Sequence, residues 1–186
     1  MWGTYKIIME HRVLGENAPI IESKFITFVD NVYIQICLAI TMKEIKRIKH
    51  FVTDSIYQQL ECQLQELNDR KLIHMFDELT VKQTTLLSFE ENDEAYKIKV
   101  HITSLYLDYY LNESGDYVSG NRESRIQKEN NCIFCKRKDT KEESIVHRCP
   151  GCGKAIDVNG NGMCDYCGSV YDLTHTGWLL TSWEVF

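Results

Sequence analysis

The sequence carries no surplus of positive charge. Its 21 lysines and arginines are outnumbered by 27 aspartates and glutamates, for a formal net charge of -6. Holding a phosphate backbone needs a clustered positive field, so this balance argues against a nucleic-acid partner. The densest basic groups, Lys43 to Lys49 and Lys136 to Lys141, are interrupted by Glu44 and Asp139 and read as solvated faces. No secretory signal is legible, because Met1 to Met9 lacks a basic start followed by a long apolar stretch. No apolar run reads as a membrane span; the best, Ile34 to Ile40, is short and contains Gln35. Catalytic signatures are missing as well: there is no nucleophile elbow, no phosphate-binding glycine loop and no HExxH. The expectation is a cytoplasmic protein that is not an enzyme, with contact at a membrane surface left open.

What the chain does contain is cysteine in pairs. Cys149-Pro150-Gly151-Cys152-Gly153 and Cys164-Asp165-Tyr166-Cys167-Gly168 are two CxxCG halves. Eleven residues separate Cys152 from Cys164. Two tight turns that each offer two thiolates can close a tetrahedron around one Zn²⁺. Glycine after each second cysteine suits backbone that must take positive φ. Asn159-Gly160-Asn161-Gly162 supplies the turn between the halves. The predicted ligands are Cys149, Cys152, Cys164 and Cys167. Four cysteines leave no open coordination position, so this zinc is structural. Pairs of this kind also point to a reducing compartment.

Cys132-Ile133-Phe134-Cys135 is a third pair, and spacing alone would allow Cys132, Cys135, Cys149 and Cys152 as a ligand set. It ranks second. Lys136, not glycine, follows Cys135, and in a strand positions i and i+3 face opposite ways. The pair reads as two partly buried thiols. His147, two residues before Cys149, reads as a bystander, and Cys37 and Cys62 as core thiols of the helical region.

In chain order, residues 1–21 form an arm of unassigned structure. From Ser23, Phe25, Phe28, Val29, Val32, Ile36 and Ile40 repeat with helical spacing. Thr41 with Glu44 predicts a capping box and a new short helix carrying Ile45 and Ile48. Thr53 predicts an N-cap, with Val52 stapled to Tyr57, before a third helix faced by Ile56, Leu60, Leu64 and Leu67. The period then becomes two. A strand is predicted within Leu79 to Phe89, followed by the polar turn Glu90 to Glu94. In the next strand Tyr96, Ile98, Val100 and Ile102 alternate with polar residues. The apolar phase slips to Leu105, Leu107, Tyr109 and Leu111, which predicts a bulge near Thr103 to Leu105. Asn112 to Gly115 predicts a hairpin turn. Short and long strands follow on either side of a break at Gly120-Asn121, the long one from Arg122 to Lys138. Trp178 to Trp183 is apolar enough to dock the C-terminal region back onto the main domain. Helices followed by strands indicate an α+β fold, with helices packed on one face of an antiparallel sheet. The predicted division is an arm at 1–21, an α+β domain at 22–138, and a zinc ribbon with docking strand at 139–186.

"TDSIYQQLECQLQEL" (Thr53 to Leu67) and "LDYYLNESGDYVSGNRES" (Leu107 to Ser124), set between an amphipathic helix and a final long strand, carry a resemblance. The chain resembles the C-terminal domain of subunit 44 of the mitochondrial inner-membrane protein-import translocase, and more closely the bacterial proteins carrying this domain. Some of those end in a CPxCG…CxYCG ribbon and a tryptophan-containing strand, matched here by Cys149–Gly153, Cys164–Gly168 and Trp178–Ser182. The resemblance covers roughly residues 20 to 183. It implies a curved sheet wrapped by helices, of the cystatin-like or nuclear-transport-factor-two-like type, with an apolar pocket between layers. For the mitochondrial relatives it implies a scaffold role at the membrane. Where the family's strands tend to carry a Trp-aromatic-aliphatic pattern, this chain has Cys132 to Cys135.

Two functions follow as expectations. The first is a non-enzymatic binding module whose pocket takes a protein segment, a lipid or a small apolar ligand, without convergent titratable groups. The second is a pocket enzyme of the isomerase or dehydratase type using Asp108. It would need Asp108, His101 or a tyrosine such as Tyr106 to face the pocket.

Overall fold

The helical spacing that begins near Phe25 produces α1, Glu22–Thr41, whose Phe25, Val29, Val32, Ile36 and Ile40 are buried. The structure, a computed structural model, describes residues 22–138, Lys154, Tyr166 and residues 177–185. By length and composition α1 is apolar enough to cross a membrane, which corrects the expectation that no segment is. Here its apolar stripe is turned into the domain core, and either setting suits such a helix.

The capping box is not formed. Thr41 is the last residue of α1, and its hydroxyl donates to the carbonyl of His74 at 2.8 Å. A 3₁₀ turn follows at Ile45–Ile48, with Glu44 at its N-cap making no side-chain cap bond. Thr53 does stand at the N-cap of α2, Asp54–Asp69, but its hydroxyl donates to the carbonyl of Leu180 at 3.3 Å. In both places the hydroxyl turns to a tertiary carbonyl acceptor and makes no bond to the local backbone N–H that a cap would use. Ile56, Leu60, Leu64 and Leu67 form the buried face of α2 as the spacing predicts.

Four antiparallel strands form one sheet in the order β1 (Leu72–Glu91), β2 (Ala95–Asn112), β3 (Tyr117–Arg137) and β4 (Leu179–Val185). With the two helices packed on it, the fold is α+β. β1 begins seven residues earlier than predicted. Its register slips against β2 between Asp77 and Thr80, and Glu78 there has φ 52°. An inserted residue resets the alternation, which hid the first part of the strand. β1 slips twice more, between Val81 and Gln83 and between Leu86 and Ser88.

β2 itself is not bulged where the phase slip suggested. Ile98, Val100, Ile102, Ser104 and Tyr106 are all buried, in unbroken alternation. The polar Ser104 belongs to the inward row, and Leu105 and Leu107 to the outer one. Nor does the chain break at Gly120. β3 runs through it, with φ 105°, and a Cβ at this position would lie 2.4 Å from the carbonyl oxygen of Asp108. The irregularity is the excursion of β3 between Asn121 and Ile126, opposite Tyr106 to Asp108.

β4 is held from two sides. It pairs with β3 from Asn130 to Cys135, and Leu180 also forms a parallel bridge with Val52. Leu180 N–H donates to Phe51, and Thr53 N–H donates to Leu180. Trp178 and Leu180 are only 2% and 1% exposed, and Trp178 packs edge-on against Phe25 at 5.0 Å.

One buried polar network crosses the layers. Tyr33 Oη lies 2.8 Å from Ser104 Oγ, Asn130 Nδ2 donates to Tyr33, and Trp183 Nε1 donates to Asn130 Oδ1 at 2.8 Å. Burial, with Cys37 nearby, pushes the Tyr33 phenol up, so it stays a neutral partner. Tyr33→Phe leaves Ser104 and Asn130 short of a partner and is expected to cost about 1–3 kcal/mol in urea unfolding.

Candidate functional site

Inward-facing residues of the sheet and one side of each helix enclose a cavity of about 370 Å³. That is within the range of about 300–1,000 Å³ common for small-molecule pockets. α1 contributes Tyr33, Cys37 and Ile40; α2 contributes Ile56, Gln59, Leu60 and Gln63. The sheet contributes His74 and Phe76 from β1, Tyr106, Asp108 and Tyr110 from β2, Lys128 and Asn130 from β3, and Trp183 from β4. The row on β2 continues the parity of Ile98 to Ser104, so its polar members face the helices because the pleat requires it.

Asp108 and His74 are partners across the β1–β2 ladder. His74 Nε2 lies 2.8 Å from Asp108 Oδ1, and the two side chains are 10% and 21% exposed. The imidazole is clamped between Phe76, at 4.0 Å, and Tyr110, stacked at 4.5 Å. The bond to a carboxylate places a proton on Nε2. Nδ1 is buried without a hydrogen-bond partner among the described residues, and an N–H there would be an unpaired buried donor. Burial, followed by the charges of neighbouring groups including Asp108, pushes the Tyr106 phenol well up; Tyr110 is raised for the same first reason.

The expectation of a pocket without convergent titratable groups is thereby corrected. Asp108 and Tyr106 both face the cavity. His101 does not: it lies on the outward row of β2, with Nδ1 2.9 Å from Asn131 Oδ1 and Nε2 2.7 Å from Glu129 Oε2. Thr103 also donates to Glu129 at 2.7 Å, and this bond is the largest cause of the lowered Glu129 pKa. A depressed folded pKa gives stability that is present above the unfolded value and lost as pH falls through the folded one. Thr103→Val is expected to move the Glu129 titration upward, as followed by NMR of the side-chain carboxyl.

Cys132, on β3, faces the core, and Cys135 is half-buried with Sγ 3.5 Å from Thr181 Oγ1. Cys37 is buried, but Cys62 is exposed on α2, which corrects its reading as a core thiol. Burial pushes the Cys37 and Cys132 thiols up to about 12. Iodoacetamide at pH 8 is expected to label Cys62 and to leave Cys37 and Cys132 unmodified in the native protein, as read by peptide mass mapping. The predicted zinc ligands Cys149, Cys152, Cys164 and Cys167 lie outside the described residues, as do His147 and the 1–21 arm.

His74, Lys128, Gln59 and Gln63 escaped sequence reasoning. The signal available was the even-numbered row from Ile98 to Tyr110, which, followed without interruption, puts Ser104, Tyr106 and Asp108 on the inner face. Among families of known proteins, the sequence model of the Tim44-like domain matches residues 17–144. No curated protein matches the chain.

Proposed function

Because the chain belongs to the Tim44-like domain family, we propose that it is a non-enzymatic binding module linked to protein transport. Its cavity would receive a segment of a protein partner, a lipid or another partly apolar ligand. The observation that carries this reading is the cavity itself, roofed by α1 and α2 and floored by all four strands. The helices and sheet would form a cone of the cystatin-like or nuclear-transport-factor-two-like type. The compartment would be the cytoplasm, with the domain peripheral to a membrane.

The division at 1–21, 22–138 and 139–186 belongs to the same proposal, with a single structural Zn²⁺ held by Cys149, Cys152, Cys164 and Cys167. Four thiolates suit that ion, and a filled shell gives it a folding role only. Lys154 Nζ sits 4.0 Å from the centre of the Tyr166 ring. In the sequence Lys154 follows Cys152 by two residues and Tyr166 stands between Cys164 and Cys167.

Native mass spectrometry of protein purified without chelator tests the whole reading. The expected result is one zinc per chain, with an organic adduct where the cavity retains a host ligand. Two zincs or none would overturn the ligand assignment. A second reading, a pocket enzyme of the isomerase or dehydratase type, is favoured by one observation: Asp108 faces the cavity with His74 at 2.8 Å. It requires turnover that Asp108→Asn abolishes.

A further inference from the structure

The polar groups of the cavity are not distributed evenly. Asp108 uses one carboxylate oxygen on His74, and no other hydrogen bond to its side chain is formed among the described residues. An ionised carboxylate has room for about four donors, so most of its accepting capacity is unmet. Phe76, Tyr106 and Tyr110 supply aromatic surface at the same end of the cavity. Aromatic faces beside a carboxylate attract an organic cation twice over, through the ring quadrupole and through direct charge.

Two cations bear on this. Lys128 lines the cavity, but its register partner is Ser104, four residues along β2 from Asp108. That is about 13 Å between backbone positions at ordinary strand rise, and among the described residues no ion pair joins Lys128 to Asp108. Arg70 acts on Tyr110 but is exposed beyond the end of α2, where solvent and salt screen it.

We propose that the Asp108 end of the cavity is a binding site for an organic ammonium group, seated on the carboxylate and walled by aromatic rings. The inference rests on the reading of the cavity as a ligand site and names the chemistry that site selects. A free alkylamine and the side chain of a lysine in a protein segment present the same head group. Clamped between Phe76 and Tyr110, His74 positions the carboxylate and need not touch the ligand.

The test is calorimetric titration of the full chain with hexylammonium, hexanol and hexanoate, which share one tail. Hexylammonium is expected to bind at least about tenfold more tightly than hexanol, a difference of about 1.4 kcal/mol. Asp108→Asn is expected to remove that preference, so that hexylammonium and hexanol bind alike. Nα-acetyl-lysine methylamide, titrated alongside, separates the sources: affinity at or above that of hexylammonium assigns the site to a lysine side chain, and weaker affinity to a free amine. Hexanol binding as tightly as hexylammonium, or hexanoate binding best, overturns the ammonium site and leaves the ligand cavity standing. No binding by any of the three overturns both. Should Asp108→Asn fail to fold, the ranking on the unmutated chain decides the question alone.

Discussion

A chain truncated after Lys138 is expected not to fold, and Trp178→Ala alone to lose about 3–5 kcal/mol of stability in urea unfolding. The family match ends at residue 144, yet Trp178 and Leu180 are among the most deeply buried side chains described. Truncation would expose Phe25, Phe134 and the Val52–Thr53 corner at once, because Trp178 packs on the first and Leu180 pairs with the other two. Total stability of a domain is about 5–15 kcal/mol, so removing two or three such contacts exceeds what the remainder can bear. Circular dichroism of the truncated chain checks the first expectation. A well-folded 1–138 fragment with a sharp unfolding transition would show that β4 is an accessory strand.

The second large effect is expected at Gly120. Its φ of 105° alone costs any other residue about 1–3 kcal/mol. In addition, the new Cβ would meet backbone atoms of Asp108 and Tyr109, at 2.4 and 2.5 Å, and backbone cannot step aside as a flexible side chain can. Gly120→Ala should therefore force the β2–β3 pair apart beside Asp108 and weaken ligand binding together with stability. Gly115→Ala is the control. It also has positive φ, 86°, but nothing lies within 4 Å of its Cβ position, so it should incur only the conformational cost. Equal unfolding losses for the two variants would mean that the close approach at Gly120 relaxes freely.

The helices were legible because their stripes answer to a single long-range partner, the sheet, and Phe25 to Ile40 and Ile56 to Leu67 carry that signal without interruption. Capping was less legible, since Thr41 and Thr53 had tertiary acceptors that no local rule includes. The sheet misled where a bulge reset the alternation of β1 and where polar residues sat on the inner face of β2. Ser104 and Asp108 interrupt the apolar row of β2, and the eye follows the leucines to the outer row. Asp108 could be singled out as an acid among aromatics. Its partner could not, because His74 lies 34 residues away and meets it only through a register that three slips in β1 help to set. The CxxCG cysteines were read through spacing alone and lie outside the described residues.

Leu180 bonds to Phe51 on one side and its strand pairs with β3 on the other, bridging more than a hundred residues of chain. A nascent chain emerges from the ribosome at about 5–20 residues per second. The helices and the first three strands would therefore wait for seconds with the Phe25 side of their interior uncovered. During that interval the chain is a client for whatever shields apolar surface in its compartment. The closing step is the arrival of Trp178 and Leu180, which makes emergence of that segment, not the formation of any helix, the event that commits this domain to its native state.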